Sequence, residues 1–247
     1  MLYLKRFLLM LQFLTTIPIP VRLDADEEDY GKGLVFGPLV GLVIGLILAC
    51  LYYALGFIFP TLVTSVFVII AYIFLTGGLH LDGLGDTFDG LFSNRSRERI
   101  LEIMRDSRIG TNGVLAIVSV FLANTALLSS IKADYAVLVL ILMPVAGRTG
   151  SLIASGISTY ARSGEGLGKS FIDHCGTREI IWGLFLYFII FFVTGGIKAL
   201  ILSVFPVAAA FVLTWLLSRK IGGATGDILG AVCELNQTIF LTAVFLW

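Results

Sequence analysis

Hydrophobic residues run along this chain in long blocks separated by short polar segments. No Asp, Glu, Lys or Arg occurs from Gly33 to Leu81. The Pro60–Thr61 step divides that block into two predicted spans, 34–58 and 62–81, because a bilayer core takes about 20 apolar residues per helix. Further spans are predicted over 113–131, 135–155, 180–197, 199–217 and from 228 to Trp247. Lys132–Asp134 forms the turn between the third and fourth, Arg148 interrupts the fourth, and Lys198 hinges the fifth against the sixth. Ahead of them, LYLKRFLLMLQFLTTI (2–17) is closed by Pro18–Ile19–Pro20. It predicts a helix over 1–20 that lies on the membrane surface. Residues 22–33, with Asp24, Asp26, Glu27, Glu28 and Asp29, read as a solvated connector. Three polar segments remain: 82–112, the Gly- and Ser-rich 156–179, and 218–227.

The predicted fold is all-α: a polytopic integral membrane helical bundle of about seven transmembrane helices plus the N-terminal interfacial helix. It is one membrane domain over 1–247, with the first two spans in 34–81, a cytoplasmic acidic and basic segment in 82–112, and the remaining spans in 113–247. Composition agrees. Hydrophobic residues make up 57% and charged residues 14%, against roughly a quarter charged in soluble domains, and mean hydropathy is +0.97. With 17 basic and 17 acidic residues the chain has no field to attract nucleic acid. Cys50, Cys175 and Cys233 show no paired spacing, so neither a disulfide framework nor a zinc site is expected. Alternating the seven spans puts every basic residue except Lys132 and Lys198 on one side. The positive-inside rule makes that side cytoplasmic, with the three polar segments on it.

The candidate chemistry starts in GGLHLDGLGDTFDGLFSNRSRERILEIMRDSRIGTNG, residues 77–113. On a helix, positions i, i+4 and i+7 fall within about 60° of one another, so Asp82, Asp86 and Asp89 share a face. Three like charges at the end of an apolar span call for a cation. Oxygen ligands without a Cys or His cluster favour Mg²⁺ or Mn²⁺. Gly83, Gly85 and Gly90 allow close approach of a ligand or a neighbouring helix. Arg105, Asp106 and Arg108 precede a Gly-containing turn that opens a helix, which suits phosphate oxygens. Arg95, Arg97 and Arg99 read as solvated charges that set topology. Arg148, inside an apolar span, needs an anionic partner. Thr225, Asp227 and Glu234 form a second acidic group, the two acids seven residues apart on one helical face. His80 is a candidate base or ligand orienter. Ser163–Lys169 lacks the P-loop pattern and reads as a loop from which Lys169 could reach a phosphate.

GGLHLDGLGDTFDGLFS, RERILEIMRDSRIGTNGVLA, GGATGDILGAVCEL and the opening FLTTIPIP together resemble the cobalamin synthase (adenosylcobinamide-GDP ribazoletransferase) family across almost the whole chain. Gly85 departs from the pattern, standing where alanine is expected. The resemblance implies a transferase in the late steps of vitamin B12 biosynthesis, in the inner membrane of a prokaryote. The ribose 3′-hydroxyl of α-ribazole, or of its 5′-phosphate, would attack the phosphorus on the cobinamide arm of adenosylcobinamide-GDP. GMP would leave, giving adenosylcobalamin or its 5′-phosphate. Mg²⁺ on Asp82, Asp86 and Asp89 would stabilise the leaving phosphate, with Asp89 as the expected base and Arg105, Arg108 and Arg148 neutralising charge. Membrane lipid is an expected partner, and self-association or association with other corrinoid-pathway enzymes stays open. Two other readings stay open on the residues alone: a CDP-alcohol-type membrane phosphotransferase, whose spaced aspartate motif is absent, and a cation-coupled transporter.

Overall fold

The computed structural model describes residues 2–246, so the expected end of the last span at Trp247 lies outside the described residues, as does Met1. Twelve α-helices follow one another among the described residues: α1 (Leu2–Leu14), α2 (Glu27–Gly33), α3 (Gly37–Leu55), α4 (Thr61–Thr76), α5 (Leu79–Leu91), α6 (Arg97–Ile103), α7 (Thr111–Ser130), α8 (Ala133–Ile157), α9 (Leu167–Asp173), α10 (Thr177–Leu202), α11 (Val204–Ser218) and α12 (Gly226–Ala243). No strand occurs among the described residues; one parallel bridge pairs Tyr160 with Ala224. The protein is a polytopic helical membrane bundle, as the hydropathy pattern predicts.

An apolar helix stands at each of the seven predicted spans, but they differ in reach. Five stretches are long and apolar enough to cross a membrane: 27–55, 111–130, 134–157, 177–202 and 226–246. A sixth crossing arises only if α4 and α5 count as one span, and they are bent by 91° to each other. α11 is a shorter apolar helix of 15 residues, about 22 Å long at 1.5 Å per residue. The bend between α4 and α5 comes from Gly77 and Gly78, at φ 62° and 69°, a left-handed conformation that glycine adopts without strain. The second predicted span therefore stops at Thr76 rather than 81, and the aspartates ride on the helix beyond the turn.

Three other expectations change. The acidic connector is partly helical: Asp26 caps α2 by accepting the Asp29 N–H at 2.8 Å. Asp29 itself is buried, meeting Lys5 Nζ at 2.5 Å and Arg6 Nε at 2.9 Å, so two charges of α1 are spent on α2. Arg148 does not interrupt α8, which is continuous through Pro144 as well. The hinge of the fifth and sixth spans is not at Lys198; the backbone leaves helical geometry at Gly196 (φ 68°, ψ −160°) and α10 gives way to α11 at Ser203.

The core is organised on α8, which packs against α3, α10, α11 and α12. The α3–α8 seam is as close as backbones allow. A Cβ on Gly41 would stand 2.6 Å from the Pro144 carbonyl oxygen, and one on Gly45 2.2 Å from that of Ile141. Small residues at such seams replace the hydrophobic drive that lipid cannot supply. α12 is sandwiched between α8 and α5, so the helix carrying Asp227 and Glu234 touches the helix carrying the aspartate triplet.

Candidate active site

The site forms where α5 meets the first turn of α12. A Cβ on Gly83 would lie 2.9 Å from the Asp227 carbonyl oxygen, and one on Gly230 3.1 Å from that of His80. These two glycines let the helices touch, which sets Asp82 and Asp86 beside Asp227. Gly85 is not constrained in this way, because a Cβ there would first meet the Ile117 Cδ1 methyl at 3.2 Å, the end of a flexible side chain, with the Gly113 backbone no nearer than 3.9 Å. Its departure from the family pattern leaves the acids in place.

Asp86 is half-buried and lies within electrostatic range of Asp227, Asp82, Asp89 and Arg162. Asp89 does something else with its charge. Its Oδ2 accepts the Gly110 N–H at 2.6 Å and its Oδ1 the Gly113 N–H at 2.9 Å, so it caps α7, whose positive dipole end suits a carboxylate. Both oxygens of Asp89 thus already serve a structural contact, each with a lone pair to spare. Thr225 caps α12 by accepting the Ile228 N–H and donates to Asp227 Oδ2 at 3.2 Å. Arg162 Nη2 meets the same oxygen at 2.6 Å and also donates to the Met104 carbonyl at 3.2 Å.

The arginines separate. Arg105 lines a cleft of about 490 Å³ together with Arg162, the 163–168 loop and Asp227. Arg108 is turned out to solvent and paired with Asp106 at 2.6 Å, a pairing that holds the Asp106 carboxyl down at about 2. Lys169 pairs with Asp173 at 2.5 Å, one helical turn along α9, and stays away from the cleft. Arg97 is not a free topology charge. It donates to the Ile221 carbonyl at 2.8 Å and the Ala161 carbonyl at 2.7 Å, tying α6 to two loops.

Beneath this cleft a second cavity of about 270 Å³ reaches into the bundle; Asp82 and Asp227 line it, with His80 and Arg148. Arg148 is 1% exposed. Its Nη1 donates to the Tyr72 hydroxyl at 2.8 Å, and that hydroxyl donates to Glu234 Oε1 at 2.5 Å while accepting from Gln237 Nε2 at 2.8 Å. Arg148 thus reaches Glu234 through Tyr72. Asp227 and Glu234 share a helix but serve different places, one in the cleft and one in the core. Arg148 Nε and Nη2 and His80 Nδ1 are buried without a protein partner. Among the described residues, the His/Cys/Asp/Glu set whose ligand atoms converge within 4.8 Å is His80, Cys233 and Glu234, not the aspartates.

Sequence reasoning missed Arg162, Tyr72 and Gln237. Arg162 carries a faint signal, since it stands directly before the Ser163–Gly164 loop. Tyr72 and Gln237 sit in apolar runs and carry none.

Fold and site define the class: a polytopic helical membrane protein with an acid- and arginine-lined cleft at one end of the bundle. The chain belongs to the Cobalamin-5-phosphate synthase family, which matches residues 6–245. It is 60% identical over 245 residues, 99% of each chain, to a protein of Acetivibrio thermocellus named adenosylcobinamide-GDP ribazoletransferase. A protein of the same name from Clostridium acetobutylicum is 55% identical over 99% of this chain and 97% of its own. Another, from Thermoanaerobacter pseudethanolicus, is 39% identical over 95% and 94%. No solved structure matches.

Proposed function

We propose that this protein is an adenosylcobinamide-GDP ribazoletransferase, joining the cobinamide phosphate to the 3′-hydroxyl of α-ribazole, or of its 5′-phosphate, with release of GMP. The observation that carries the reading is the junction of α5 and α12, where Asp82 and Asp86 come beside Asp227, which in turn lines the outer cleft with Arg162 and Arg105. Phosphoryl transfers of this kind rest on positioning and charge neutralisation more than on covalent chemistry. Arg105 and Arg162 are placed to meet phosphate oxygens at the mouth. Neither the CDP-alcohol phosphotransferase reading nor the transporter reading gains an observation.

Mg²⁺ belongs to this proposal. The donors are carboxylate oxygens with no soft ligand among them, which fits a hard divalent ion. Asp82 and Asp86 would hold it from α5, with Asp227 across the cleft, and it would supply charge neutralisation to the pyrophosphate. Asp89 fixes α7 to the ion-holding helix, so Asp82 and Asp86, which carry no such contact among the described residues, are the preferred carboxylates for taking the acceptor's proton. His80 lines the deeper cavity, and Glu234 holds the Tyr72 hydroxyl that also meets Arg148, so its part would be to position Arg148. The basic residues clustered at the cleft end support a cytoplasmic orientation in a prokaryotic inner membrane, with lipid as the solvent of the outer helix faces. Association with itself or with other corrinoid-pathway enzymes remains part of the proposal without a surface assigned to it.

The test is GMP release by purified protein from GDP-activated corrinoid and α-ribazole, with and without Mg²⁺. Turnover that needs both organic substrates is expected. Absence of GMP release across Mg²⁺ concentrations overturns the reading.

A further inference from the structure

Two cavities meet at Asp227, and their linings differ. They share a wall of Leu167, Gly168, Gly226 and Asp227. The outer one is polar and of mixed charge: Arg105 and Arg162 line it together with Asp227 and Glu165 of the Ser163–Gly166 loop. The inner one is mostly apolar: Phe13 and Leu14 of α1, Leu34, Leu79, Phe171 of α9 and Leu229 line it. Its aromatic wall is built, not incidental. Phe13 and Phe171 have ring centroids 5.1 Å apart, and Tyr30 meets both rings edge-on at 6.1 and 5.8 Å. Its polar lining is Asp82 and Asp227 together with His80, Arg148 and Ser151.

We propose that the inner cavity is the subsite for the base of the acceptor nucleoside, a flat, apolar, bicyclic N-heterocycle. The inference rests on the transferase reading above and names which part of which substrate goes where. Volume excludes the other candidates. About 270 Å³ is near the lower bound of about 300 Å³ for a small-molecule pocket; it takes a bicyclic ring and has no room for a corrin macrocycle. Chemistry disfavours the nucleoside diphosphate, because its phosphates would meet a mostly apolar wall and the carboxylates of Asp82 and Asp227 with a single arginine, Arg148, to offset them, whereas two arginines line the outer cavity. A benzimidazole matches the remainder: a flat apolar ring to lie against the wall that Phe13 and Phe171 form together, and a ring nitrogen that accepts a hydrogen bond. Arg148 and His80 carry three buried nitrogens with unused hydrogen-bonding capacity, and such groups are rare unless a ligand or water completes them. A base seated there places its ribose at the mouth, beside Asp82 and Asp227, where the attacking hydroxyl is needed.

Two variants test this away from the charged residues. Leu79, 40% exposed at the edge of the cavity, is replaced by tryptophan to plug it; Phe171→Leu removes an aromatic face at nearly constant volume. The readouts are KM for α-ribazole, KM for the GDP-activated corrinoid, and equilibrium dialysis of radiolabelled α-ribazole against the protein without corrinoid. Each variant should raise KM and dissociation constant for α-ribazole by about tenfold, as loss of a stacking face does, with KM for the corrinoid unchanged. If Leu79→Trp fails to fold, Phe171→Leu carries the test alone. Wild-type turnover with unchanged α-ribazole KM in the folded variants overturns the subsite and spares the function. Wild-type protein that binds α-ribazole but releases no GMP overturns the function and spares the subsite; no α-ribazole binding to wild type overturns the subsite.

Discussion

Tyr72→Phe deletes one oxygen from the middle of the membrane bundle, and that oxygen holds three groups. Arg148 Nη1 and Gln237 Nε2 each donate to it at 2.8 Å, and it donates to Glu234 Oε1 at 2.5 Å. No ion pair closes the gap between Arg148 and Glu234 among the described residues, so phenylalanine leaves the guanidinium and the carboxylate separated in the core. Side-chain hydrogen bonds inside membrane proteins are worth about 0.6 kcal/mol on average and up to about 1.7. Bonds to charged groups lie at the strong end, so three of them give about 2–4 kcal/mol. For a chain of this size each kcal/mol moves the melting temperature by about 2–4 °C, hence a fall of about 4–16 °C. Tyr187→Phe is the comparator, because Tyr187 is equally buried but loses a single bond, to the Ser203 carbonyl at 2.9 Å. The assay is a thermal melt of each variant in the same detergent, with Tyr72→Phe/Glu234→Gln completing a double-mutant cycle. The reasoning is refuted if Tyr72→Phe melts within 2 °C of wild type, or no lower than Tyr187→Phe (a threshold of about 2 °C being under 1 kcal/mol).

Asp82→Asn and Asp86→Asn should each lower GMP release by about 100-fold with unchanged melts, as loss of a metal-site group does; activity near wild type in both removes the α5 face from the chemistry. Asp89→Asn should behave differently, melting lower by about 2–4 °C for the roughly 1 kcal/mol a helix-dipole contact contributes, with a milder loss of activity than Asp82→Asn. Gly45→Leu should abolish the folded bundle, since even a Cβ would stand 2.2 Å from the Ile141 carbonyl oxygen; a monodisperse, active variant would show that the α3–α8 seam is not as close as described. Reporter fusions after Asp89 and after Gly168 should signal cytoplasm and one near Lys132 the opposite side; a periplasmic signal from 82–112 contradicts the proposed orientation.

The features legible in the sequence are those set by the solvent. Lipid demands apolar helices, so each of the seven apolar runs is a helix, five of them long enough to cross alone, and a charge such as Asp82 or Arg148 in that setting stands out. The bend at Gly77–Gly78 was hinted at by the glycine pair, but its 91° could not be. What stayed hidden depends on partners distant in sequence. Asp89 looks like its neighbours until Gly110 and Gly113 arrive over its carboxylate. Arg97 and Arg162 look like topology charges because positive-inside statistics apply to every loop arginine alike. Lys169 looked like a phosphate ligand from its glycine-rich loop, yet Asp173 four residues on takes its charge. Asp29 looked solvated within an acidic run until α1 folded over it.

The Arg148–Tyr72–Glu234 chain also dictates an order of birth. A charged residue at the centre of an emerging helix is resisted during insertion by about 2.5–3.5 kcal/mol. When α8 leaves the ribosome, Tyr72, 76 residues earlier, is already in the membrane and can receive the guanidinium. Glu234 has not yet been made. During that interval the apolar middle of α8 carries the Arg148 charge with the neutral Tyr72 phenol as its partner, and it is held among α3 and α4 until α12 arrives. The last helix is therefore a lock for a segment threaded in earlier, and a nascent chain truncated before α12 should leave α8 exposed to extraction and degradation.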